Sequence, residues 1–315
     1  MTADRIEVAA AVITRDDGRF LLAQRPAGKV YAGYWEFPGG KIECGESPLG
    51  ALQRELHEEL GIEVEDAYPW ITRDYDYQHA AVRLRFFRVA HWHGEPQGRE
   101  GQSFAWQSAR DIAVSPLLPA NRPVLRALEL PTVYGITHAA AIGVAEFSSR
   151  LENALKSGLR LIQIREKMFG RNELRGFSVQ AIAAAHRHGA RVLINTDAAL
   201  ASDLGADGVH FTSAQLGELD TRPLLNLVGA SCHDATELER AILIGADFVV
   251  LGPVLPTASH PGQPGMGWER FADLIQDYPL PVYALGGLRL RDLARAWQAG
   301  AHGIAMMRGA WERDR

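Results

Sequence analysis

The chain has 315 residues, 33 Lys and Arg against 38 Asp and Glu, a net charge of −5 and 47% hydrophobic residues. That length suits two domains, and the acidic balance offers no basic surface for duplex nucleic acid. No apolar run reaches the length of a bilayer span, and only two cysteines occur, Cys44 and Cys232, far apart in sequence. A reduced, cytoplasmic protein without membrane or nucleic-acid partners is expected, and MTADRIEVAAAVITRDDGRF, with acids ahead of its apolar stretch, reads as a first strand rather than a signal peptide.

Residues 1–130 alternate short strands, IEVAAAVIT, RFLLAQR and VRLRFFRVA, around one strong helix, an α+β pattern. The helix is announced by Ser47-Pro48, an N-cap followed by Pro at N1, and stopped by Gly61 at the C′ position. Leu49, Leu52, Leu56 and Leu60 recur at three- and four-residue spacing and predict its apolar stripe. Glu55, Glu58 and Glu59 fall at i, i+3 and i+4, so their like charges repel by a few tenths of a kcal/mol per pair with nothing local to relieve them. A hard divalent cation, Mg²⁺ or Mn²⁺, would relieve that repulsion through carboxylate oxygens, waters and substrate phosphates. The preceding Phe37-Pro38-Gly39-Gly40 reads as a tight turn able to approach such an ion, and Arg54 with Glu46 as an ion pair orienting the ligands. His91 and His93 share one strand face just before Gly94 and read as a surface hairpin, and Trp35 and Trp92 as core or pocket wall. A Pro-rich loop and a final helix, Ser115 to Leu130, close this half.

From residue 131 to 315 the pattern changes. Eight continuously apolar strands, VYGIT, LRLIQIR, RVLIN, DGVHF, LVGAS, DFVVLG, PVYALGG and HGIAMM, alternate with helical stretches such as ELRGFSVQAIAAAHRHG and DLARAWQAG. The echo LGADGVHF, IGADFVVL, AGAHGIAM marks repeated βα units and predicts a compact (β/α)₈ TIM barrel, with a doubly wound open sheet as the alternative. Function in such a barrel collects at the C-terminal strand ends, here Thr137-His138, Arg165-Glu166-Lys167, Asn195-Thr196-Asp197, His210, Ser231-Cys232-His233, Gly252-Pro253, Gly286-Gly287 and Arg308-Gly309. The last two pairs follow strands seven and eight, where backbone N–H groups commonly hold phosphate.

Read from Gly40, the positions of Glu46, Arg54, Glu55, Leu56, Glu58, Glu59, Gly61 and Ile62 match the Nudix box at every defined position, and the first half is similar to Nudix pyrophosphohydrolases. The resemblance implies a mixed sheet between helices and metal ligation by Glu55, Glu58, Glu59 and the Gly39 carbonyl. LLAQRPAGKVYAGYWEFPGGKIE, GEPQGREGQ and LPANRPVL narrow it to the MutT branch, the 8-oxo-dGTP diphosphatases. That likeness implies Glu100 as a further metal ligand, Asn121 bonded to the oxidised purine, and Arg25, Phe37 and Gly40 about the substrate. It implies hydrolysis of a nucleoside triphosphate to the monophosphate and pyrophosphate, with Glu55 or Glu100 as the base, a step in nucleotide-pool sanitation and DNA repair. Asn121 has a second reading, as cap of the last helix. One departure stands out: where MutT has a base-contacting Arg, this chain has Ala80.

Over residues 132 to 312, YGIT, QIREK, the Asn195 turn, GADGVH, SCH, LGPVLPT, Gly286-Gly287 and GAHGIAMM resemble the thiamin phosphate synthase and TenI family in the family's order. The likeness implies a phosphorylated thiazole or pyrimidine ligand held by Arg165, Lys167, Asn195, Ser231, Gly286, Gly287, Arg308 and Gly309. The two metal-binding Asp positions of the synthases are Thr196 and Gln215 here, and the phosphate-binding Lys is His260. The coupling metal site is therefore expected to be dismantled, which is closer to TenI, a metal-independent thiazole tautomerase whose catalytic His corresponds to His233. Three functions compete: an 8-oxo-dGTP hydrolase, a Nudix hydrolase of thiamin-pathway diphosphates, and a chain whose barrel is a non-catalytic phosphate-ligand sensor.

Overall fold

The computed structural model describes residues 5–99, 101–257 and 264–312. The chain divides into two compact units, Met1–Glu129 with Asp277–Pro279, and Leu130–Gln276 with Leu280–Arg315.

The first unit runs β1 (Ile6–Ile13), β2 (Phe20–Gln24), β3 (Trp35–Glu36), β4 (Gly39–Lys41), α1 (Pro48–Leu60), β5 (Glu63–Asp76), β6 (Ala81–His93), β7 (Phe104–Gln107), a 3₁₀ turn Pro119–Asn121 and α2 (Arg122–Leu128). The main sheet has the order β4-β1-β6-β5, and a smaller one the order β3-β2-β7. β1 lies parallel to β6 and antiparallel to β4, so the main sheet is mixed. The period of two along β1 decides the layering. Ala9, Ala11 and Ile13 pack with Leu52, Leu56 and Leu60 of α1, while Ala10 and Val12 pack with Val124 and Leu125 of α2. Each fully buried Leu of α1 contributes about 1.5–3 kcal/mol.

Three sequence expectations need correction. Leu49 is exposed, and Ala51 takes the fourth buried place on α1. Phe37-Pro38 joins β3 to β4 instead of closing a turn, and Gly39 and Gly40 are strand residues opposite Ala10 and Ala9. The fourteen-residue strand β5 has no counterpart in the sequence reading. Its burial alternates poorly, and register shifts interrupt its pairing with β6.

The second unit is the expected barrel. β8 (Val133–Ile136), β9 (Leu161–Ile164), β10 (Arg191–Asn195), β11 (Gly208–Phe211), β12 (Leu227–Cys232), β13 (Phe248–Leu251), β14 (Val282–Leu285) and β15 (Gly303–Met306) form one closed parallel ring, with β15 paired to β8. Helices α3 (Ala139–Ile142), α4 (Val144–Lys156), α5 (Arg171–Arg187), α6 (Ala198–Asp203), α7 (Ser213–Glu218), α8 (Ala235–Ile244), α9 (Gly267–Ile275) and α10 (Leu293–Gln298) follow the strands. Ring closure rules out the open doubly wound sheet. Side chains fill the interior, with Tyr134, Phe248 and Tyr283 packed edge to face beside Leu161, Leu193 and Val250.

Candidate functional site

In the first unit the site grows from the start of α1. Ser47 caps it by accepting from the Gly50 N–H (3.1 Å), and Gly61 ends it in the left-handed region at φ 70°. Arg54 then reaches back to Glu46 through two parallel bonds, Nε to Oε1 and Nη2 to Oε2, both 3.0 Å. This fork geometry pulls Glu46 below the usual carboxylate range and holds Arg54 far above its own ordinary value.

The same guanidinium changes the expected charge balance on the helix. Arg54 Nη1 donates to Glu55 (2.8 Å) and Glu58 (3.4 Å), so their repulsion is relieved locally, because the cation lies one and four residues before them. Among the described residues, no three His, Cys, Asp or Glu side chains converge as a ready metal cluster. The donor chemistry still fits a hard cation. Glu55 and Glu59 are half-buried carboxylates, Glu58 an exposed one, and the Glu55 carboxylate lies so close to Gly40 that a Cβ there would overlap it. The strand carrying Gly39 therefore passes beside a ligand-capable oxygen pair. Glu100 lies outside the described residues, but the loop on either side of it is fastened to the end of α1. Arg99 N (2.9 Å) and Gln102 Nε2 (3.3 Å) both donate to the Glu59 carbonyl.

A second group of candidate residues is built on and around β3. Arg25 Nη1 pairs with Glu36 (2.6 Å), and Arg25 Nε donates to the Val30 carbonyl (2.8 Å). Phe37 is buried in the core against Phe20 and Phe86. Trp35 N donates to the Pro116 carbonyl (2.8 Å) and Leu118 N to the Trp35 carbonyl (3.0 Å), which hangs the 3₁₀ turn from β3. Asn121, at the end of that turn, is 3% exposed. Its side chain makes no capping bond to α2, and its Nδ2 has no partner among the described residues. The capping reading of Asn121 is thereby set aside, and leaving the buried Nδ2 unpaired costs about 1–3 kcal/mol. Ala80 closes the β5–β6 turn, its carbonyl accepting from Tyr77 N (2.9 Å). His91 and His93 pair with Asp66 and Glu65 on the surface, as expected of a hairpin end.

In the barrel, a chain of polar groups crosses the interior and ends at the mouth. Gln163 Nε2 donates to the Tyr134 hydroxyl (3.1 Å), which faces His210 Nδ1 (3.3 Å), and His210 Nε2 faces Ser231 Oγ (3.0 Å). Burial first, and the charge of Arg165 second, push His210 down to about 3, so the ring is neutral at physiological pH. The Tyr134 hydroxyl accepts from Gln163, and the tautomer of the neutral His210 ring sets the direction of the bonds that continue to Ser231. The Arg165 side chain is half-buried and its guanidinium is lowered by burial, the Arg165 backbone N–H donates to Thr137 Oγ1 (2.9 Å), and Lys167 is exposed. Glu166 is buried and accepts from the N–H groups of Ala139 and Ala140 (2.7 and 2.9 Å).

Asn195 ends β10, and the positions expected to have lost their carboxylates have other duties. Gln215 Nε2 donates to the Thr196 carbonyl (3.0 Å), and Gln215 forms a capping box with Thr212. Asp197 caps α6 through Leu200 N (2.8 Å). His233 is fixed by Glu237, whose Oε2 meets its backbone N–H (2.7 Å) and Nδ1 (2.9 Å). With Nδ1–H given to Glu237, Nε2 is left as the acceptor. The sequence reading missed Glu237, although its i+4 spacing from His233 at a helix start was a signal. Gly286 and Gly287 stand at φ 113° and 68°, and a Cβ on Gly286 would overlap Pro253. Arg308 and Gly309 follow β15, while His260 lies outside the described residues.

Two family models match. Thiamine monophosphate synthase covers residues 133–310, and the NUDIX domain covers residues 4–128. The CTP pyrophosphohydrolase of Escherichia coli is 44% identical over 39% of this chain and 90% of its own length. The 8-oxo-dGTP diphosphatase of Haemophilus influenzae is 38% identical over 39% of this chain and 90% of its own. The thiamine-phosphate synthase of Myxococcus xanthus is 36% identical over 54% of this chain and 78% of its own.

Proposed function

Since the chain belongs to the NUDIX family in its first unit and to the thiamine monophosphate synthase family in its barrel, we propose that this Nudix hydrolase acts on an oxidised purine nucleoside triphosphate, 8-oxo-dGTP, releasing monophosphate and pyrophosphate. The observation that carries the base assignment is Asn121, a buried amide whose Nδ2 awaits an acceptor. An amide presents donor and acceptor together to a purine edge.

Glu55, Glu58 and Glu59, with the Gly39 carbonyl and the Glu100 expected from sequence, would hold Mg²⁺ or Mn²⁺. When bound, that cation polarises phosphoryl oxygens and lowers the pKa of the attacking water. The chain's own contribution is preorganisation. Arg54 holds Glu46 by two bonds and draws Glu55 and Glu58 to one guanidinium, so the carboxylates are gathered before substrate arrives. Glu55 or Glu100 takes the water's proton.

The barrel, in the same reading, binds a phosphorylated thiazole or pyrimidine through backbone N–H groups at Gly286-Gly287 and Arg308-Gly309, without coupling two such substrates. The support is chemical. Thr196 and Gln215 offer neutral groups where the synthases place carboxylates, and the Gln215 amide is already bonded to the Thr196 carbonyl. His233, oriented by Glu237, supplies the acid–base group for a tautomerisation.

One substrate panel tests both halves. The full chain with Mg²⁺ is assayed on 8-oxo-dGTP, dGTP, CTP, thiamin diphosphate and hydroxymethylpyrimidine diphosphate, and for thiamin phosphate synthesis. Fastest turnover of 8-oxo-dGTP with no synthesis is expected. Preference for CTP or a thiamin-pathway diphosphate would overturn the base assignment, and Mg²⁺-dependent synthesis would overturn the barrel reading.

A further inference from the structure

A run of buried polar side chains crosses the barrel interior, where apolar layers are the rule. Gln163 of β9, Tyr134 of β8 and His210 of β11 are 2%, 0% and 1% exposed. Burying such groups costs free energy unless each is hydrogen-bonded to the next. The Tyr134 hydroxyl meets Gln163 Nε2 (3.1 Å) on one side and His210 Nδ1 (3.3 Å) on the other, and His210 Nε2 meets Ser231 Oγ (3.0 Å). Room for the imidazole is built into the next strand: a Cβ on Gly229 of β12 would lie 2.6 Å from His210 Nδ1 and from Phe248 Cζ. Tyr134 and Phe248 flank the ring at centroid distances of 5.7 and 6.0 Å. Ser231 is half-buried, the last residue but one of β12 and two before His233. A line of neutral groups thus starts in the core and ends at the mouth.

We propose that Gln163, Tyr134 and His210 are positioning residues that hold the Ser231 hydroxyl as a hydrogen-bond donor toward an anionic oxygen of the barrel's ligand. This rests on the reading of the barrel as a binder of a phosphorylated thiazole or pyrimidine. The order of donors runs from the core outward. Gln163 Nε2 fills one acceptor site of the Tyr134 hydroxyl, and the phenolic proton turns to the bare Nδ1 of His210. A neutral imidazole carries one N–H, which then sits on Nε2 and is given to Ser231 Oγ. The serine, with an acceptor site occupied from behind, directs its own proton to the mouth. The opposite order would turn that proton inward and present lone pairs to an anion, which repels it. A serine hydroxyl without such a chain rotates freely, whereas bonds in series fix the rotor and polarise one another. Because burial keeps the imidazole neutral at physiological pH, the direction of donation does not switch there.

The test uses the full chain with hydroxyethylthiazole phosphate and hydroxymethylpyrimidine phosphate as probes, each beside its unphosphorylated alcohol, and reads dissociation constants by calorimetry. Tyr134→Phe deletes one hydroxyl and keeps the ring. It should weaken binding of the phosphorylated probe about tenfold and leave the alcohol unaffected. Ser231→Ala should do the same, and adding Tyr134→Phe to it should cost nothing more, because the phenol acts only through the serine. Losses that multiply in the double variant, or that fall equally on phosphate and alcohol, would show that Tyr134 serves packing alone, and the proposal is wrong. Heteronuclear NMR of the imidazole nitrogens, with the His210 signal identified by its absence from His210→Gln, should report the Nε2–H tautomer in the parent, unchanged from about pH 5.5 to 8. An Nδ1–H tautomer overturns the order of donors without any Tyr134 or Ser231 variant having to fold, and leaves the barrel reading standing. A parent that binds neither phosphate removes the barrel reading itself, and this inference with it.

Discussion

The two sites handle charge in opposite ways. At the start of α1 the chain concentrates it: Glu46, Glu55 and Glu58 share one Arg54, and the cluster stays partly in water. Inside the barrel the chain removes charge: His210 is neutral, Tyr134 and Ser231 are its partners, and Thr196 and Gln215 at the mouth are neutral too. A site that gathers anions is poised to take a cation and run phosphoryl chemistry. One that strips them keeps proton transfer and backbone recognition of phosphate. Under the proposed functions, this contrast would let the two units work without competing for the same metal.

The largest expected effect breaks the charged side of the comparison. Glu59→Gln should lower kcat for nucleotide hydrolysis by orders of magnitude with the circular dichroism spectrum unchanged. Near-parental turnover would remove Glu59 from the ligand set. Next, Asn121→Ala should erode the preference for 8-oxo-dGTP over dGTP by roughly ten- to hundredfold. If kinetics on the two nucleotides show no loss of preference, the amide does not read the base.

The neutral side is probed by acid. The folded pKa of His210, about 3, lies below its ordinary value of 6.5, so the unfolded chain binds the extra proton between those limits. Stability should therefore fall as pH drops from about 6.5 toward 3, and His210→Gln should flatten that slope even though it lowers stability at neutral pH. Urea midpoints at pH 7 and pH 4.5, followed by hydrogen exchange in β11, measure it. Parallel pH slopes for parent and variant would count against a neutral buried ring. The smallest effect sharpens the local account of α1: Ser47→Ala should cost about 1 kcal/mol through the lost bond to Gly50 N. Thermal unfolding of the first unit shows whether the cap matters that much.

Legibility in the sequence followed the strength of the physical signal. The eight barrel strands were readable because each is almost continuously buried and three of them, β11, β13 and β15, follow helix ends marked by Gly205, Gly245 and Gly300, and α1 because its cap, stop and apolar period agree. β5 was not, since Glu63, Glu65, Asp66, Arg73 and Asp74 interrupt its alternation and Pro69 sits within it. The Arg54 contacts to Glu55 and Glu58 went unseen because spacing gives neighbours on a helix but not which rotamer a long side chain adopts. Glu36 and Glu237 went unseen because their partners, Arg25 and His233, were each read alone.

Gln215 has a consequence for how this barrel can change over generations. Its side chain closes the capping box with Thr212 and also holds the carbonyl of Thr196, the other position where the resemblance implies a carboxylate in the synthases. An aspartate introduced at Gln215 has no N–H to give that carbonyl and is one methylene shorter, so it loosens the segment before offering any gain. An aspartate at Thr196 alone meets a neutral amide instead of a second carboxylate. The change at Gln215 is thus the step that loosens the segment, since Thr196 contributes only its main-chain carbonyl to this bond.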